Sequence, residues 1–291
     1  MTEYTRSEIP GNQIGKNFET NWYTKVINSN ATGYYRDSSG HKKVLFKFKK
    51  NTINESLSDL AIGTFLKFSK LKHSGRGIAA GIPDGQKNAR TINPSSGQNE
   101  GGYVSSNISG YYDRPLREHR GLFKTISVCR TTAFTLKNEM LWKSALPFVE
   151  KCSKLYKQLC PKEWAIQKKE YSLINPRLKI PKTVFTTITS NYNWRTACHS
   201  DSGDFSGGLG NLVVVGKDFS GGYLGFPEFK VLIKIKPSDY LLMDSHVYHC
   251  NTKINLLKPD GFRLSFVMYI RKDMYKCKHR KIIGKTEYLT I

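Results

Sequence analysis

Apolar and polar residues alternate with a period of two through much of the second half of the chain. From Thr183 onwards, short apolar runs follow one another and are separated by glycine-rich turns such as the one at Gly221 and Gly222. Neighbouring side chains of a strand point to opposite faces, so this pattern predicts β-strands. The predicted strands cover residues 184–190, 211–215, 223–226, 231–235, 240–244 and 262–270. Many short antiparallel strands of this kind favour a double-stranded β-helix, a jelly roll.

Two other stretches have apolar residues at the three- and four-residue spacings of a helix. The first covers residues 54–68, with Leu57, Leu60, Ala61, Phe65 and Phe68 towards the core. The second covers residues 138–170, where we expect Pro147 to kink the helix or to start a new one. Its predicted apolar stripe comprises Met140, Leu141, Ala145, Phe148, Val149, Cys152, Leu155, Tyr156 and Leu159. Helices packed on the outside of a jelly roll make an α+β fold.

These patterns predict one domain over residues 1–291. Residues 73–110 are rich in Gly, Asn, Ser and Pro, and a loop of this length is usually functional or disordered. We divide the domain into an N-terminal extension with substrate-binding loops (1–135), supporting helices (136–180), the β-helix core (181–272) and a basic tail (273–291). Phosphate contact and plain solvation explain the basic tail equally well.

The chain carries a large excess of positive charge. Its 46 Lys and Arg residues outnumber 23 acidic residues, which gives a net charge of +23. Such an excess favours a polyanionic partner, that is DNA, RNA or an anionic membrane surface, although it can also reflect composition alone. No obligate protein partner is indicated. The polar N-terminus and the lack of a long apolar run predict a soluble, intracellular protein, in a nucleus or a virus- or phage-infected cell. The six cysteines form no C-x-x-C motif, so we expect reduced thiols.

Arginines and aromatic residues are interleaved between residues 73 and 135. Aromatic faces stack on bases while arginines neutralise phosphates, so this pattern suits a nucleic acid. Buried tyrosines beside ordinary surface arginines would look the same, and Arg76 between two glycines can equally belong to a flexible loop. The candidate substrate-binding residues of this region are Arg76, Tyr111, Arg114 and Arg130.

Two histidines, a carboxylate and an arginine occur in an order that suits a metal site. His199 and Asp201 are two residues apart, so at a strand end both side chains project to one side. His249 follows after several predicted strands, and Arg263 and Ser265 share one face of the last strand. Two imidazoles and one carboxylate can hold iron(II) and leave coordination positions open. Arg263, assisted by Ser265, can pair with the remote carboxylate of 2-oxoglutarate.

His246 competes with His249 for the role of third ligand. Both follow the predicted strand 240–244. We prefer His249 because it lies closer to Arg263 in the chain and because Asn251 can orient its imidazole. His246 is then expected to line the pocket or to bond to Asp244.

Four segments together resemble the TET/J-binding-protein family of iron(II) and 2-oxoglutarate dioxygenases. They are His199-Ser-Asp201, Gly221-Gly-Tyr-Leu-Gly-Phe-Pro-Glu228, Asp239-Tyr-Leu-Leu-Met-Asp-Ser-His-Val-Tyr-His249-Cys-Asn251 and Arg263-Leu-Ser265. Members oxidise the 5-methyl group of pyrimidines in nucleic acid. The resemblance is clearest over residues 183–270. The cysteine-rich zinc ligation of animal TET enzymes is missing from the sequence, so the resemblance is to compact microbial, algal or viral forms.

The resemblance implies iron(II) ligands at His199, Asp201 and His249 and a 2-oxoglutarate anchor at Arg263. It also implies a co-substrate contact at Asn193, O₂ as the oxidant and ascorbate as a possible reductant. A methyl group inside a duplex cannot reach the iron, so the base must be flipped out and stacked on aromatic side chains. The candidates are Tyr111, Trp194, Phe205 and Tyr223. The base, 5-methylcytosine or thymine, stays open, as do a protein or small-molecule hydroxylase and a non-catalytic basic barrel.

Overall fold

The computed structural model describes residues 2–9, 13–69, 77–81, 104–124 and 126–291. The chain forms two compact units. The first comprises Met1–Asn107, Ser190–Ser202 and Asn211–Phe266, and the second Ile108–Thr189, Gly203–Gly210 and Val267–Ile291. Within the described ranges, no helix is long and apolar enough to cross a membrane.

Every predicted strand and helix has a counterpart in the structure, with ends shifted by a few residues. The helices are α1 (Glu55–Ser69), α2 (Ala133–Lys137), α3 (Glu139–Leu159) and α4 (Pro161–Leu173). The strands are β1 (Thr2–Glu3), β2 (Lys25–Ile27), β3 (Ala31–Arg36), β4 (Lys42–Lys49), β5 (Ser106–Tyr112), β6 (Val128–Thr131), β7 (Thr187–Tyr192), β8 (Gly210–Lys217), β9 (Phe219–Gly221), β10 (Leu224–Phe226), β11 (Val231–Ile233), β12 (Tyr240–Met243), β13 (Cys250–Asn251), β14 (Ile254–Leu256), β15 (Phe262–Tyr269), β16 (His279–Ile283) and β17 (Thr286–Thr290).

The strands of the first unit belong to two larger sheets and to the two-stranded antiparallel pairing of β9 with β14. One sheet has β1, β3, β4, β12 and β8 as successive neighbours, and the other has the order β13, β10, β11, β2. The predicted strands β10 and β11 pair antiparallel, whereas the pairs β1–β3 and β11–β2 are parallel and involve N-terminal strands outside the predicted set. Both involve N-terminal strands too short to reveal their partner by pattern. The predicted N-terminal extension thus contributes β3 and β4 to one sheet and β2 to the other. The division into domains stays a prediction.

The apolar faces of the two sheets meet in an aromatic core. Phe46 of β4 stacks on Phe226 of β10, with ring centroids 6.1 Å apart. Helix α1 packs through Phe65 against Phe266 of β15, at 4.9 Å between ring centroids. Asn54 begins this helix, because its Oδ1 accepts a hydrogen bond from the Leu57 amide at 3.0 Å. The first unit is thereby held by aromatic side chains, of which Phe65 was predicted to face the core.

In the second unit, the predicted long helix is divided at a different place. Helix α3 runs through Pro147, and the break comes at Cys160, immediately before Pro161 as the first residue of α4. The buried face of α3 is built on Trp142, Ala145, Val149, Cys152 and Tyr156. Met140 was predicted on this face but is 79% exposed. It lies in the first turn of α3, two residues before the buried Trp142, and residues two apart on a helix do not share a face.

Cys129 and Cys277 form a disulfide across 148 residues of sequence, which corrects the prediction that all six thiols are reduced. The other four cysteines are free and buried. The predicted basic tail is also structured: β16 and β17 form an antiparallel hairpin, and β17 pairs with β6. The disulfide and the β17–β6 pairing were missed because they join residues far apart in the sequence, which leaves no local pattern. The β16–β17 hairpin is local, with Gly284 and Lys285 between its strands, and was interpreted only as part of a basic tail.

We expect the disulfide to stabilise the protein by about 2–4 kcal/mol, since it closes a long loop in the unfolded chain. Replacing Cys129 and Cys277 together with Ser should lower the urea midpoint and make it independent of reductant. A Cys160→Ser variant should keep the reductant dependence, because Cys160 is free. Titration of unfolded, unreduced wild-type protein should find four thiols; six would contradict the disulfide.

Candidate active site

A short antiparallel pairing brings the two candidate histidines together. The His199 amide donates to the His249 carbonyl at 3.1 Å, and the His249 amide donates back to the His199 carbonyl at 2.9 Å. The Asp201 amide donates to the Ser245 carbonyl at 2.8 Å, which continues the contact between the two segments. Residues that exchange both backbone hydrogen bonds carry their side chains on the same side. The pairing therefore determines where both imidazoles lie.

The side chains of His199, Asp201 and His249 converge on one point. Their possible ligand atoms all lie within 4.8 Å of one another, the one such group of three found in the part of the chain that is described. Asp201 Oδ1 lies 3.7 Å from His199 Nε2, and Oδ2 lies 3.6 Å from His249 Nε2. Two imidazole nitrogens and a carboxylate on one face are the donor set that suits iron(II) with open positions.

Backbone carbonyls orient both imidazoles for this role. His199 Nδ1 donates to the Ala197 carbonyl at 2.7 Å, and His249 Nδ1 donates to the Val247 carbonyl at 3.0 Å. Each Nε2 is then left with its lone pair, as a metal ligand requires. Burial and the nearby His199 lower the pKa of His249 to about 4, so its imidazole is neutral near pH 7. The Asp201 side chain, at 36% exposure, is the open side of the group.

Arg263 is a buried cation with unused hydrogen-bond donors. Its guanidinium lies on β15 and is 1% exposed. Nη1 donates to Ser265 Oγ at 3.1 Å, whereas Nε and Nη2 have no partner among the described residues. Burial lowers the pKa of Arg263 to about 10, which still leaves it charged at neutral pH. A buried, unpaired charge is costly, so the arrangement fits an anion that accepts two hydrogen bonds, such as a carboxylate.

The turn at Gly222 makes room for this guanidinium. Gly222 has a φ of +64°, and a Cβ there would come within 2.5 Å of Arg263 Nε. Asn251 Nδ2 donates to the Gly222 carbonyl at 3.3 Å, and Asn251 Oδ1 accepts from Thr196 Oγ1 at 2.6 Å. Asn251 therefore holds the glycine turn and not the His249 imidazole, which corrects our expectation. The sequence pattern includes the glycines and Asn251. It does not predict that the Gly222 turn lies against Arg263 or that Asn251 holds this turn, because these residues are far apart in the sequence.

Asn193 supports the backbone of Arg263. Its Oδ1 accepts from the Arg263 amide at 2.7 Å, and its own amide donates to the Arg263 carbonyl at 2.8 Å. Asn193 adopts a left-handed backbone with a φ of 45°, which asparagine tolerates better than most residues. Its predicted contact with the co-substrate stays a prediction.

His246 lies outside the group of three. Its Nδ1 is 3.2 Å from Asp244 Oδ1, and its amide donates to the same oxygen at 3.0 Å. Tyr35 donates to Asp244 Oδ2 at 2.7 Å. Burial works to raise the pKa of Asp244, but the hydrogen bonds from His246 and Tyr35 outweigh it and lower that pKa. The structure thus gives His246 the Asp244 contact that we expected for it.

The candidate base-stacking residues of the first unit differ in accessibility. Trp194 is 4% exposed and packs in an apolar cluster with Ala79, Ala80 and Val104. This position does not favour stacking on a base. Tyr223 is half-buried, with Lys234 Nζ 5.8 Å from its ring centroid. Of these two aromatic residues, Tyr223 is the better candidate.

The candidates of the second unit lie partly in its core. Tyr111 and Phe205 are half-buried and pack against the apolar cluster around the disulfide. Arg130 donates to the carbonyls of Arg114 and Thr131, at 3.0 and 3.2 Å, so its guanidinium has a structural role. Arg114 is exposed. Arg76 lies outside the described residues.

Comparison with known proteins gives the family. The family model Tet_JBP, the oxygenase domain of the 2OGFeDO superfamily, matches residues 108–272, more than half of the chain. The chain belongs to this family. The predicted family and the predicted class of 2-oxoglutarate-dependent dioxygenase are thereby confirmed, and with them the expectation of iron(II), 2-oxoglutarate and O₂.

Relatives of this Tet_JBP oxygenase include two proteins named thymine dioxygenase JBP1. Thymine dioxygenase JBP1 of Crithidia fasciculata is 38% identical over 171 residues, which cover 58% of this chain and 20% of that protein. Its counterpart in Trypanosoma brucei brucei is 34% identical over 169 residues, covering 57% and 19%. The chain thus spans about a fifth of the length of these relatives.

A solved structure supports the fold. NgTET1 in complex with 5mC DNA aligns with a TM-score of 0.56 and 15% identity, covering 89% of this chain and 82% of that one. At this identity the likeness concerns the fold alone. It confirms the predicted α+β class with a jelly-roll core.

We expect the loss of metal binding to distinguish His249 from His246. His249→Ala should weaken binding of Mn²⁺ or Co²⁺ by more than the roughly 10- to 100-fold typical of residues that only support a ligand. His246→Ala should retain nearly wild-type affinity, because its imidazole bonds to Asp244 and not to the group of three. Isothermal titration calorimetry of both folded variants measures this. Equal loss in both variants would contradict the assignment.

A methyl group at Gly222 should push Arg263 away from its co-substrate. We expect Gly222→Ala to raise the half-saturating concentration of 2-oxoglutarate by roughly 10- to 100-fold, as small displacements of positioning groups do. Gly40→Ala is the matched control, since Gly40 also has a positive φ of +78° but nothing within 4 Å of the new Cβ. An unchanged 2-oxoglutarate dependence in Gly222→Ala would contradict the Arg263 contact. An equal rise in both variants would show that backbone strain matters instead.

Proposed function

We propose that this chain hydroxylates the 5-methyl group of a pyrimidine in DNA, using iron(II), 2-oxoglutarate and O₂, with thymine ahead of 5-methylcytosine. The observation that carries the proposal is the pair of built sites in the first unit. One is the His199, Asp201 and His249 donor group, and the other is the buried guanidinium of Arg263 with two free donors. Neither arrangement is needed for a sheet to fold, and the second is costly without an anion.

The chain's own residues have separate tasks in this proposal. His199 Nε2, His249 Nε2 and an Asp201 oxygen would hold the metal, and the carbonyls of Ala197 and Val247 keep both Nδ1 protons in place. When bound, iron(II) and 2-oxoglutarate supply the oxidising chemistry that inserts one atom of O₂ into a C–H bond, with succinate and CO₂ as co-products.

Arg263 would bind the remote carboxylate of 2-oxoglutarate through Nε and Nη2. Ser265 accepts from Nη1 and thereby keeps the plane of the guanidinium in place. Because Arg263 is 1% exposed and His249 is 4% exposed, little water competes for either contact. A charge-assisted bidentate pair in such a dry site is strong and directional.

The choice of base rests on the relatives. Proteins that are 38% and 34% identical over the shared region are named thymine dioxygenases, whereas the 5mC DNA complex is only 15% identical. Thymine is a base of DNA, and the net charge of +23 suits such a polyanion. A methyl group within a stacked duplex is out of reach, so we propose that the base is flipped out before it reacts.

The decisive experiment is oxidation of DNA duplexes that contain thymine, with or without 5-methylcytosine. With iron(II), 2-oxoglutarate, O₂ and ascorbate to maintain iron(II), we expect a hydroxymethyl nucleoside by mass spectrometry and succinate in matching amount. The His199→Ala, Asp201→Ala double variant should form neither product while it keeps a wild-type circular dichroism spectrum. His246→Ala is the matched control for removing a histidine.

The two products together decide between outcomes. Hydroxymethylation of 5-methylcytosine alone would reverse our order of bases. Succinate formation with unchanged thymine and 5-methylcytosine would overturn the DNA substrate and leave a 2-oxoglutarate oxygenase that acts on another molecule. A wild-type protein that forms no succinate would overturn the enzyme itself.

A further inference from the structure

Three lysines from distant parts of the chain meet at the C-terminal end of α4 in the second unit. Lys179 Nζ donates to the Ser172 carbonyl at 3.1 Å, and Lys278 Nζ donates to the Leu173 carbonyl at 2.9 Å. Lys168 and Lys179 both lie over the Tyr171 ring, with their Nζ atoms 5.1 and 5.0 Å from its centroid. We call Lys168, Lys179 and Lys278 the α4 lysine cluster.

The α4 lysine cluster carries more positive charge than its surroundings neutralise. The end of a helix offers the equivalent of about half a negative charge, against three ammonium groups. The pKa of Lys179 is lowered, first by burial and then by repulsion from Lys168 and Lys278. The shared contacts with Tyr171 and with the last carbonyls of α4 place the three cations close together.

Three other lysines of the second unit lie beside carboxylates. Lys143 pairs with Glu139 at 2.7 Å, Lys182 with Glu150 at 3.7 Å and Lys276 with Asp273 at 2.8 Å. No carboxylate among the described residues lies within salt-bridge distance of the α4 lysine cluster. The charge of the cluster is therefore available to an external anion.

Two arginines extend the positive charge along the same segments. Arg177 and Arg280 share one oxygen of Glu287, at 2.7 and 3.0 Å, so two cations compete for one carboxylate. Arg177 is two residues from Lys179, and Arg280 is two residues from Lys278. We call the α4 lysine cluster together with Arg177 and Arg280 the basic surface.

The backbone of the basic surface is held firmly. Lys278 follows Cys277, which is bonded to Cys129, and its amide donates to the Thr290 carbonyl at 2.6 Å. The Tyr171 hydroxyl, beneath two of the lysines, donates to the Ile180 carbonyl at 2.7 Å. A cation on a rigid backbone loses less freedom when it binds an anion.

We propose that the basic surface binds the phosphate backbone of the DNA substrate, at phosphates outside the reacting nucleotide. This inference rests on the proposal that the chain acts on DNA. Lysine ammoniums are compact charges that neutralise phosphate without reading sequence, so they suit contacts that position a duplex. An anionic membrane would also attract them, and Leu173, exposed at 54%, could contact it. Phosphates of a DNA substrate, by contrast, are necessarily presented to this protein.

The test is the salt dependence of binding to an unmodified DNA duplex, measured by fluorescence anisotropy without iron or 2-oxoglutarate. Each lost phosphate contact lowers the slope of log affinity against log salt by about 0.9. The triple variant Lys168→Gln, Lys179→Gln, Lys278→Gln should therefore lose roughly 2 to 3 from the slope and at least about tenfold in affinity at ~100 mM salt. An unchanged slope would overturn the proposal.

The matched control is Lys143→Gln, Lys182→Gln, Lys276→Gln, which removes the same charge from the same unit at lysines that are paired. We expect its slope to stay close to that of the wild-type protein. An equal loss in both triple variants would show a general effect of net charge and would overturn the basic surface. Since Lys179 and Lys278 cap α4, Lys168→Gln alone is the safer variant for folding, and it should lose about 0.9 from the slope.

Catalysis separates this inference from the proposed function. If the wild-type protein does not oxidise methylated pyrimidines in DNA, the proposed function fails, whatever the binding data show. If it does, the triple lysine variant should keep its kcat and show a raised KM for a long duplex. Unchanged KM and affinity would overturn the basic surface alone. So would a variant that loses binding to vesicles of phosphatidylcholine and phosphatidylserine but binds DNA as before.

Discussion

The exchange of two backbone hydrogen bonds between His199 and His249 is the constraint on which the site depends. Side chains of a strand alternate between faces, so a shift of one residue in either segment would turn one imidazole away from Asp201. Neighbouring contacts oppose such a shift: the Asn251 amide donates to the Thr196 carbonyl at 3.1 Å, and the Asp201 amide to Ser245. The donor group is therefore a consequence of strand register.

Arg263 depends on a second set of distant contacts, which position its backbone and its guanidinium. Its backbone is paired with Asn193, its Nη1 with Ser265, and its Nε lies against the Cβ-free face of Gly222. Asn251 takes part in both sets, because it follows His249 and also bonds to the Gly222 carbonyl. A single asparagine thus couples the register of the histidines to the turn that leaves space for the guanidinium. Loss of Asn251 should accordingly disturb co-substrate binding more than the histidines' tautomers.

Sequence patterns predicted the features that depend on neighbouring residues, and they did not predict contacts between residues far apart in the chain. Alternation located the strands, and the two-residue spacing of His199 and Asp201 predicted their shared side. Pattern could not assign Asn251 to Gly222, or Cys129 to Cys277, because these pairs are joined only by the folded chain. Pro147 shows a different limit: a helix can continue through proline when its apolar face is buried on both sides of it, as it is in α3.

The positive charge of the chain divides into two chemically different kinds. Arg263 is buried, and two of its donors have no partner among the described residues, which suits a carboxylate anion. The lysines at the end of α4 are solvated, repel one another and can gain from any ordered row of anions. In the proposed reaction, neither kind of charge would select the methyl group, because such cations bind carboxylates or phosphates and not bases. We then expect uncharged contacts around the base to select it, with Tyr223 as the accessible candidate in the first unit.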